Sequence, residues 1–452
     1  MRKLMAILLI FLLLPLPCVA GAEECGYIAR CNSPNADAPP SFIWLADRET
    51  AESLLSAGQI QYYEPNFPVF LPEDAYAPTK RGVSLFSAEI WQHSAIRLPA
   101  QCPVDGSGIT VGVLDSGVSP HVDFGSRLLP GYNVLTDSQD TTDNIGHGTR
   151  VAGMVASTSV GIAPGASIYP VKCFDQDATS SAIDILSAME KAIEAGCDIL
   201  NISMGFSSFL SIEEYNSFAD VAEYAKDNDI LIVAAVGNYG TSAVMYPAGL
   251  NGVIGVGAVS RPVGDTFTRE SYSQYNTSVD IMAPGNCLGA PDKDSPTDYV
   301  TDADTAHTDG TSFASPIIAG VLASGLSYKP ALSPNLVADA LLCTARDLGS
   351  VGIDNEYGYG LADVTGFLAE LDRTSATHML HCPGGISIYR KEAGTARIII
   401  AQYAGENELR AILHTELLTL PAGYTEFDVS LPENTKIFLF DNLEPVCHPL
   451  QH

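Results

Sequence analysis

Five apolar runs, each closing on turn residues and each separated from the next by polar or helical stretches, constrain this chain more than anything else in it. They are "ITVGVLD" from Ile109, "SIYPVKCF" from Ser167, "DILNISMG" from Asp198, "ILIVAAVGN" from Ile230 and "GVIGVGAVS" from Gly252. Strands with one wet face alternate apolar and polar residues, whereas unbroken apolar runs belong to strands covered on both faces. Between the runs, Ile183, Leu186, Met189 and Ile193 recur at helical spacing. Buried strands alternating with helices predict an α/β fold with a mostly parallel central sheet over residues 89–368. In such sheets, ligands and catalytic groups collect at the carboxyl ends of the strands.

The flanks read differently. Ahead of the sheet, "GYIAR" and "QIQYYEPN" are strand-like runs around a helical pattern at 49–57. A Pro-rich joint follows, "FPVFLPEDAYAPTKRG", whose Lys80-Arg81 pair is open to processing enzymes. Behind the sheet, "RIIIAQY", "YTEFDVSL" and "KIFLFD" are short strand-like runs that predict a small antiparallel β-sandwich. The N-terminus has a basic start, an apolar stretch and then Ala20-Gly21-Ala22, the pattern of a secretory signal cut after Ala22. The expected order is a signal at 1–22, a small α+β segment with its joint at 23–82, the α/β domain at 83–372 and the sandwich at 373–452.

Charge narrows the partners. Against 23 Lys and Arg stand 53 Asp and Glu, a formal net charge of −30. Such a surface repels nucleic acid and anionic membranes. No second segment is long and apolar enough to span a bilayer, so the mature chain is expected to be secreted. Of 10 cysteines, export leaves those after the signal free to form disulfides. Pairing within sequence clusters, Cys25 with Cys31 and Cys382 with Cys447, is the expectation, although connectivity does not follow from sequence. No spacing suggests zinc ligands.

Four short stretches sit where the sheet would present chemistry. "VLDSG" ends a buried run at Asp115, and "GHGT" sets His147 between two glycines at the start of an apolar helical pattern. "AVGN" ends another run at Asn238, and "GTSFASP" places Ser312 just ahead of Pro316 and an apolar helical run. Read singly, each has a structural use: a carboxylate at a strand tip, a packed histidine, an asparagine in a turn, a serine capping a helix. A nucleophilic serine additionally needs a base and a group that orients the base.

Taken together and in this order, the four stretches resemble the subtilisin-like serine proteases, over roughly residues 85–370. The resemblance implies a subtilisin-like three-layer fold and an Asp-His-Ser triad in that order along the chain. Ser312 would attack the scissile carbonyl, His147 would move its proton, and Asp115 would hold the imidazole. Asn238 and the Ser312 backbone N–H would bind the oxyanion. Substrate contacts would come from Ser203, Met204 and Gly205, which pair with an extended peptide, and from Val236, Gly237, Met245 and Gly310. Residues 23–82 would be a propeptide that inhibits the enzyme until it cuts itself free.

This chain departs from the family pattern at several positions. Arg150 and Ile317 stand where histidines are usual, and Phe313 replaces a common methionine. Met245 occupies a position near the floor of the primary pocket that is often glycine, which implies a shortened pocket favouring smaller side chains. The loop after "GMVAST" is too short for a calcium site common in the family, and Asp123 alone does not make one. No cofactor is expected to be required. Structural calcium elsewhere would fall on Asp140 and Asp143, or on Asp292 to Asp304, where a solvated acidic loop is the alternative. The expectation is a monomeric endopeptidase acting on polypeptides. The competing readings are an inactive scaffold that presents the C-terminal domain to a surface or glycan, and an esterase of the α/β-hydrolase type. Ser312 follows both its partners and lacks a G-x-S-x-G elbow, which counts against the second.

Overall fold

The structure is a computed structural model. It describes residues 25–32, 38–71, 90–207, 216–287, 289–300, 309–374, 377–382, 385–403, 409–428, 435–441, 444–445 and 450–451. The expected signal at 1–22, the Lys80-Arg81 joint, Asp304 and Cys447 lie outside them.

The first described segment is a three-stranded antiparallel sheet with one helix. It comprises β1 (Tyr27–Cys31), β2 (Phe42–Leu45), α1 (Arg48–Ser56) and β3 (Ile60–Pro65), with β1 central. Asp47 caps α1 by accepting from the Thr50 N–H at 2.7 Å. A short strand, β4 (Pro68–Phe70), then leaves this sheet and pairs elsewhere.

After α2 (Trp91–Ala95), the α/β domain alternates strand and helix. β5 (Thr110–Asp115), β6 (Tyr132–Asn133), α3 (His147–Ala156), β7 (Ser167–Lys172), β8 (Thr179–Ser181) and α4 (Ala182–Glu194) form its first half. β9 (Ile199–Ile202), β10 (Phe206–Ser207), α5 (Asn216–Asp227), β11 (Leu231–Ala235), β12 (Met245–Tyr246), β13 (Val253–Val259) and β14 (Ile281–Pro284) follow. A ribbon of β15 (Ala290–Pro291) and β16 (Tyr299–Val300) precedes α6 (Thr311–Tyr328), α7 (Pro334–Cys343) and α8 (Val364–Arg373). Seven strands make the central sheet in the order β14-β13-β11-β9-β5-β7-β6, and every pair is parallel. The chain builds outward from β5 in both directions, which leaves a crevice at its carboxyl end, the switch point at which open α/β sheets bind ligands.

All five apolar runs became central strands, and the residues of β9, β11, β13 and β14 are buried throughout. Helix α6 crosses the sheet with Thr311 to Leu326 all buried. A helix apolar on every side belongs in a core.

The remaining strands are β17 (His378–Cys382), β18 (Gly385–Arg390), β19 (Gly394–Tyr403), β20 (Leu409–Leu420), β21 (Gly423–Asp428), β22 (Thr435–Asp441), β23 (Glu444–Pro445) and β24 (Leu450–Gln451). They form two antiparallel sheets, β17-β18-β21 and β20-β19-β22-β23 with β24 on β22. Met379, Ile386 and Ile388 from one sheet share a buried cluster with Ala396, Ile398, Ile400, Ile437 and Leu439 from the other. At the junction, buried Glu370 of α8 accepts from the Tyr424 hydroxyl at 2.9 Å and pairs with Arg373 and His378.

The cysteine expectation needs correction. Among the described residues, Cys25, Cys31, Cys102, Cys173 and Cys197 are free thiols. Cys31 ends β1 and Cys25 lies two residues before its start, and the four steps of strand from Tyr27 to Cys31 alone span roughly 13 Å. A disulfide needs about 7 Å or less. Burial pushes the Cys197 thiol up to about 12, and Cys173 and Cys287 are also raised by burial.

Candidate active site

Asp115 is the last residue of β5, and Ser203 follows β9 directly. Asn238 stands three residues beyond β11, His147 opens α3 and Ser312 is the second residue of α6. Every one lies at the carboxyl edge of the sheet, because each parallel strand ends there and each helix returns from there.

Asp115 and His147 meet directly. The imidazole Nδ1 lies 2.9 Å from both Asp115 carboxylate oxygens, and both residues are buried. Asp115 Oδ1 also accepts from the Ser116 N–H at 2.7 Å. An Nδ1–H donated to a carboxylate leaves Nε2 as the ring's acceptor, the tautomer a general base requires. A side chain on Gly148 would press on the Asp115 Cβ from 3.0 Å. This glycine lets helix and strand approach.

The imidazole packs on Phe313, with ring centroids 5.4 Å apart, and Phe313 is bonded to Ser312. Fully buried Arg150 also lies over the Phe313 ring, 5.7 Å from its centroid, and its Nε donates to the Gly146 carbonyl at 2.8 Å. The two family departures Arg150 and Phe313 therefore pack as one unit behind His147.

Ser312 is no helix cap. The N-cap of α6 is Gly310, at φ 137 and without a side-chain cap bond. Ser312 sits in the first turn, where its backbone N–H has no acceptor inside the helix. Pro316 has no N–H for the Ser312 carbonyl four residues back. Ser203 Oγ donates to that carbonyl instead, at 2.8 Å, and is itself bonded to Asn201 Nδ2 and Ser315 Oγ. The Ser203 side chain is thus an internal brace for the start of α6, which leaves only its backbone for an extended ligand.

Asn238 has a fixed orientation. Its Oδ1 accepts from the Thr311 N–H at 2.9 Å and from Thr311 Oγ1 at 2.8 Å. Its Nδ2 therefore points the other way, 2.9 Å from where a Cβ on Gly310 would stand. An alanine at 310 would displace that amide.

Two wall segments, Ser203–Gly205 and Val236–Asn238, flank Met245. The Met245 Cγ lies 2.7 Å from where a Cβ on Gly237 would be, and its Cβ 3.3 Å from the equivalent point on Gly205. Met204, Val236 and Met245 are buried. Met245 is held by β12, which pairs with β10 through Ser207↔Met245.

Asp123 is buried and saturated by donors. It accepts from Tyr299 Oη at 2.7 Å, Ser159 Oγ at 3.2 Å and Ser157 Oγ. Those hydroxyl bonds, together with His121, hold its carboxyl below the usual range despite burial. A carboxylate whose lone pairs receive hydrogens has little left for a cation. Asp140 accepts from the Thr142 N–H and hydroxyl. Asp143, expected in a solvated loop, is 3% exposed and fully engaged. Among the described residues, no group of three or more His, Cys, Asp or Glu is arranged to hold a metal ion.

The first segment seats on this domain. β4 pairs antiparallel with β8, and the Leu71 N–H donates to the Ala178 carbonyl at 3.1 Å. Val69 and Leu71 are buried, while Phe70 is 57% exposed. The Phe67 carbonyl and Asn66 Oδ1 accept from the Ala182 and Ile183 N–H groups at the start of α4. Glu64 accepts from Ser217 in the first turn of α5, and Glu190 of α4 accepts from the Phe42 N–H at 3.1 Å. Burial raises both Glu64 and Glu190 to about 7.

Residues 106–360 match the model of the subtilase family. Subtilisin BL of Lederbergia lenta is 33% identical over 280 residues, which covers 60% of this chain and 96% of that protein. A thermostable alkaline protease of Halalkalibacterium halodurans is 34% identical over 261 residues, covering 57% of this chain and 66% of the relative. Among solved structures, fervidolysin of Fervidobacterium pennivorans, a keratinolytic enzyme related to subtilisin, aligns over 92% of this chain and 70% of its own. Its TM-score is 0.62 at 22% identity, a likeness of fold.

Proposed function

This chain belongs to the subtilase family of serine peptidases, and from that premise we propose that it is a secreted endopeptidase made as a self-processed zymogen. The observation that carries the reading is the Asp115–His147 pair, with Nδ1 2.9 Å from both carboxylate oxygens and Phe313 against the ring. Ser312 attacks the peptide carbonyl, and His147 Nε2 takes its proton and returns it to the leaving amine. Asp115 holds the tautomer and stabilises the imidazolium. The tetrahedral oxyanion is bound by Asn238 Nδ2 and the Ser312 N–H, donors set before the charge develops. Water then releases the acyl group by the same proton path.

Met245 fills the space between the two pocket walls, so we take the residue before the scissile bond to be small or short. The 23–82 segment acts as the propeptide. In support, β4 runs along the β8 edge like an added strand and heads toward the loop after β7, whose Cys173 N–H bonds the Asp115 carbonyl at 2.9 Å. Calcium is not required at Asp123, given its donors. The enzyme is read as a monomer, free or held non-covalently at a cell wall.

Intact mass and N-terminal sequence of the secreted protein test this, wild type beside Ser312→Ala. The expected result is that only the wild type loses its leading segment. Identical trimming of both, or of neither, overturns self-processing.

A further inference from the structure

We propose that Asp143 is a positioning residue for the reaction: acting through Ser116 and the first turn of α3, it sets His147 against Asp115. This rests on the reading of the site just given.

Asp143 belongs to no stretch that pointed to catalysis, yet its carboxylate is the node of the site. Oδ1 accepts from Ser116 Oγ at 2.8 Å, the Gly146 N–H at 2.7 Å and the Ile145 N–H at 3.0 Å. Oδ2 accepts from the Thr149 N–H at 2.9 Å and Thr149 Oγ1 at 2.7 Å. Four of these donors flank His147 on its own chain, and the fifth is the residue after Asp115. One carboxylate therefore references both partners of the pair.

Ser116 completes the link. Its hydroxyl gives its hydrogen to Asp143 and accepts from the Gly148 N–H at 3.0 Å. Its N–H goes to Asp115 Oδ1. Lys172, at the end of β7, donates from Nζ to the carbonyls of Ser116 and Thr142, which ties the same two loops from below. The Ser119 N–H donates to Thr149 Oγ1 at 2.9 Å, and the Val118 N–H to the Thr141 carbonyl. The loops carrying Asp115 and His147 are thus joined along their length, with Asp143 at the centre.

A local reason explains why an outside carboxylate is used. Gly146, the N-cap of α3, has φ 100 and no side chain to offer the helix. Its N-terminal N–H groups need acceptors from elsewhere. Asp143 and Ser116 provide them, and because Ser116 is bonded to Asp115, capping the helix also aligns the pair. Misplacement of a reacting group by about 1 Å can reduce rate about 10²-fold.

The test uses the full chain with Asp143→Asn, Ser116→Ala and both together. Activity is expressed per active site titrated with a fluorophosphonate. Each single variant is expected to lower kcat about 10- to 100-fold with KM within about twofold. The double variant should fall no further than the worse single one, because the two residues act as one unit. The low-field proton resonance of the His147 Nδ1–H should broaden or move upfield. If Asp143→Asn fails to fold, Ser116→Ala decides. Unchanged kcat per titrated site with an unchanged resonance overturns the proposal, as do independent losses that add in the double variant. A capping role alone would lower thermal stability and leave kcat per site intact. An unmodified chain without Ser312-dependent hydrolysis defeats the reading of the site instead, so the two failures are separable.

Discussion

Helices α3 and α6 begin alike and are finished differently. Each carries a key residue in its first turn, and each has a glycine N-cap of positive φ, Gly146 at 100 and Gly310 at 137, with no side-chain cap of its own. At α3, the neighbouring N–H groups are taken up by Asp143 and Ser116, and the His147 side chain is locked. At α6, Asn238 takes the Thr311 N–H and hydroxyl. The next donor along, the Ser312 N–H, is left for the oxyanion in our reading. A helix start can therefore hold a side chain rigidly or present a binding site, and the outside acceptors decide which.

Breaking each end separately sharpens that contrast. Ser312→Ala removes the proposed nucleophile and should lower kcat on the order of 10⁶-fold, as for a triad member acting in a unit, in a steady-state peptide assay. Asn238→Asp keeps an acceptor for Thr311 but removes the Nδ2 donor. It should lower kcat about 10²–10³-fold while the melting temperature holds. A parallel fall in stability would mean that Asn238 serves α6 rather than the oxyanion.

A smaller change is expected at the pocket. Met245→Gly should raise kcat/KM for Phe relative to Ala before the scissile bond by at least about tenfold, the scale of a few methylenes in an apolar pocket. A wild type that already prefers Phe over Ala defeats this.

The seat of the leading segment should respond to pH. Glu64 faces Ser217, Asn216, Asp220 and Tyr62, and Glu190 faces the Phe42 N–H, Glu194, Lys191 and Arg30. Both have bound-state values raised to about 7. Their contribution to docking is fully present below the ordinary glutamate value and is lost as pH rises toward 7. Size-exclusion of nicked Ser312→Ala protein should show the segment leaving more readily at pH 8 than at pH 5. The reverse trend would rule these carboxyls out. Smallest of all, Tyr299→Phe should cost about 1–3 kcal/mol in urea unfolding by leaving Asp123 one donor short.

The sheet was legible because burial on both faces writes an unbroken apolar run, and the five runs lie far apart in the chain. Asp115, His147, Asn238 and Ser312 stood out as candidates because short glycine-bearing stretches surround them. Asp143 was not, because an aspartate in the acidic stretch "DSQDTTDN" looks solvated until the fold shows which donors surround it. Similar reasons hid the brace role of Ser203 and the pairing of β4 with β8, both of which depend on partners distant in sequence. The expected Cys25–Cys31 pair failed because nearness in sequence is not nearness along an extended strand.

By itself, the order of residues determined the local periodicities, the glycines that open two helices and the side chains available for chemistry. Those are properties of segments a few residues long. Only the tertiary structure decided which donors face Asp143, which way the Asn238 amide points and what fills the space beside Gly237. Hydrogen bonding and packing act over about 3–4 Å, and that range is populated by residues the chain brings together only when it folds.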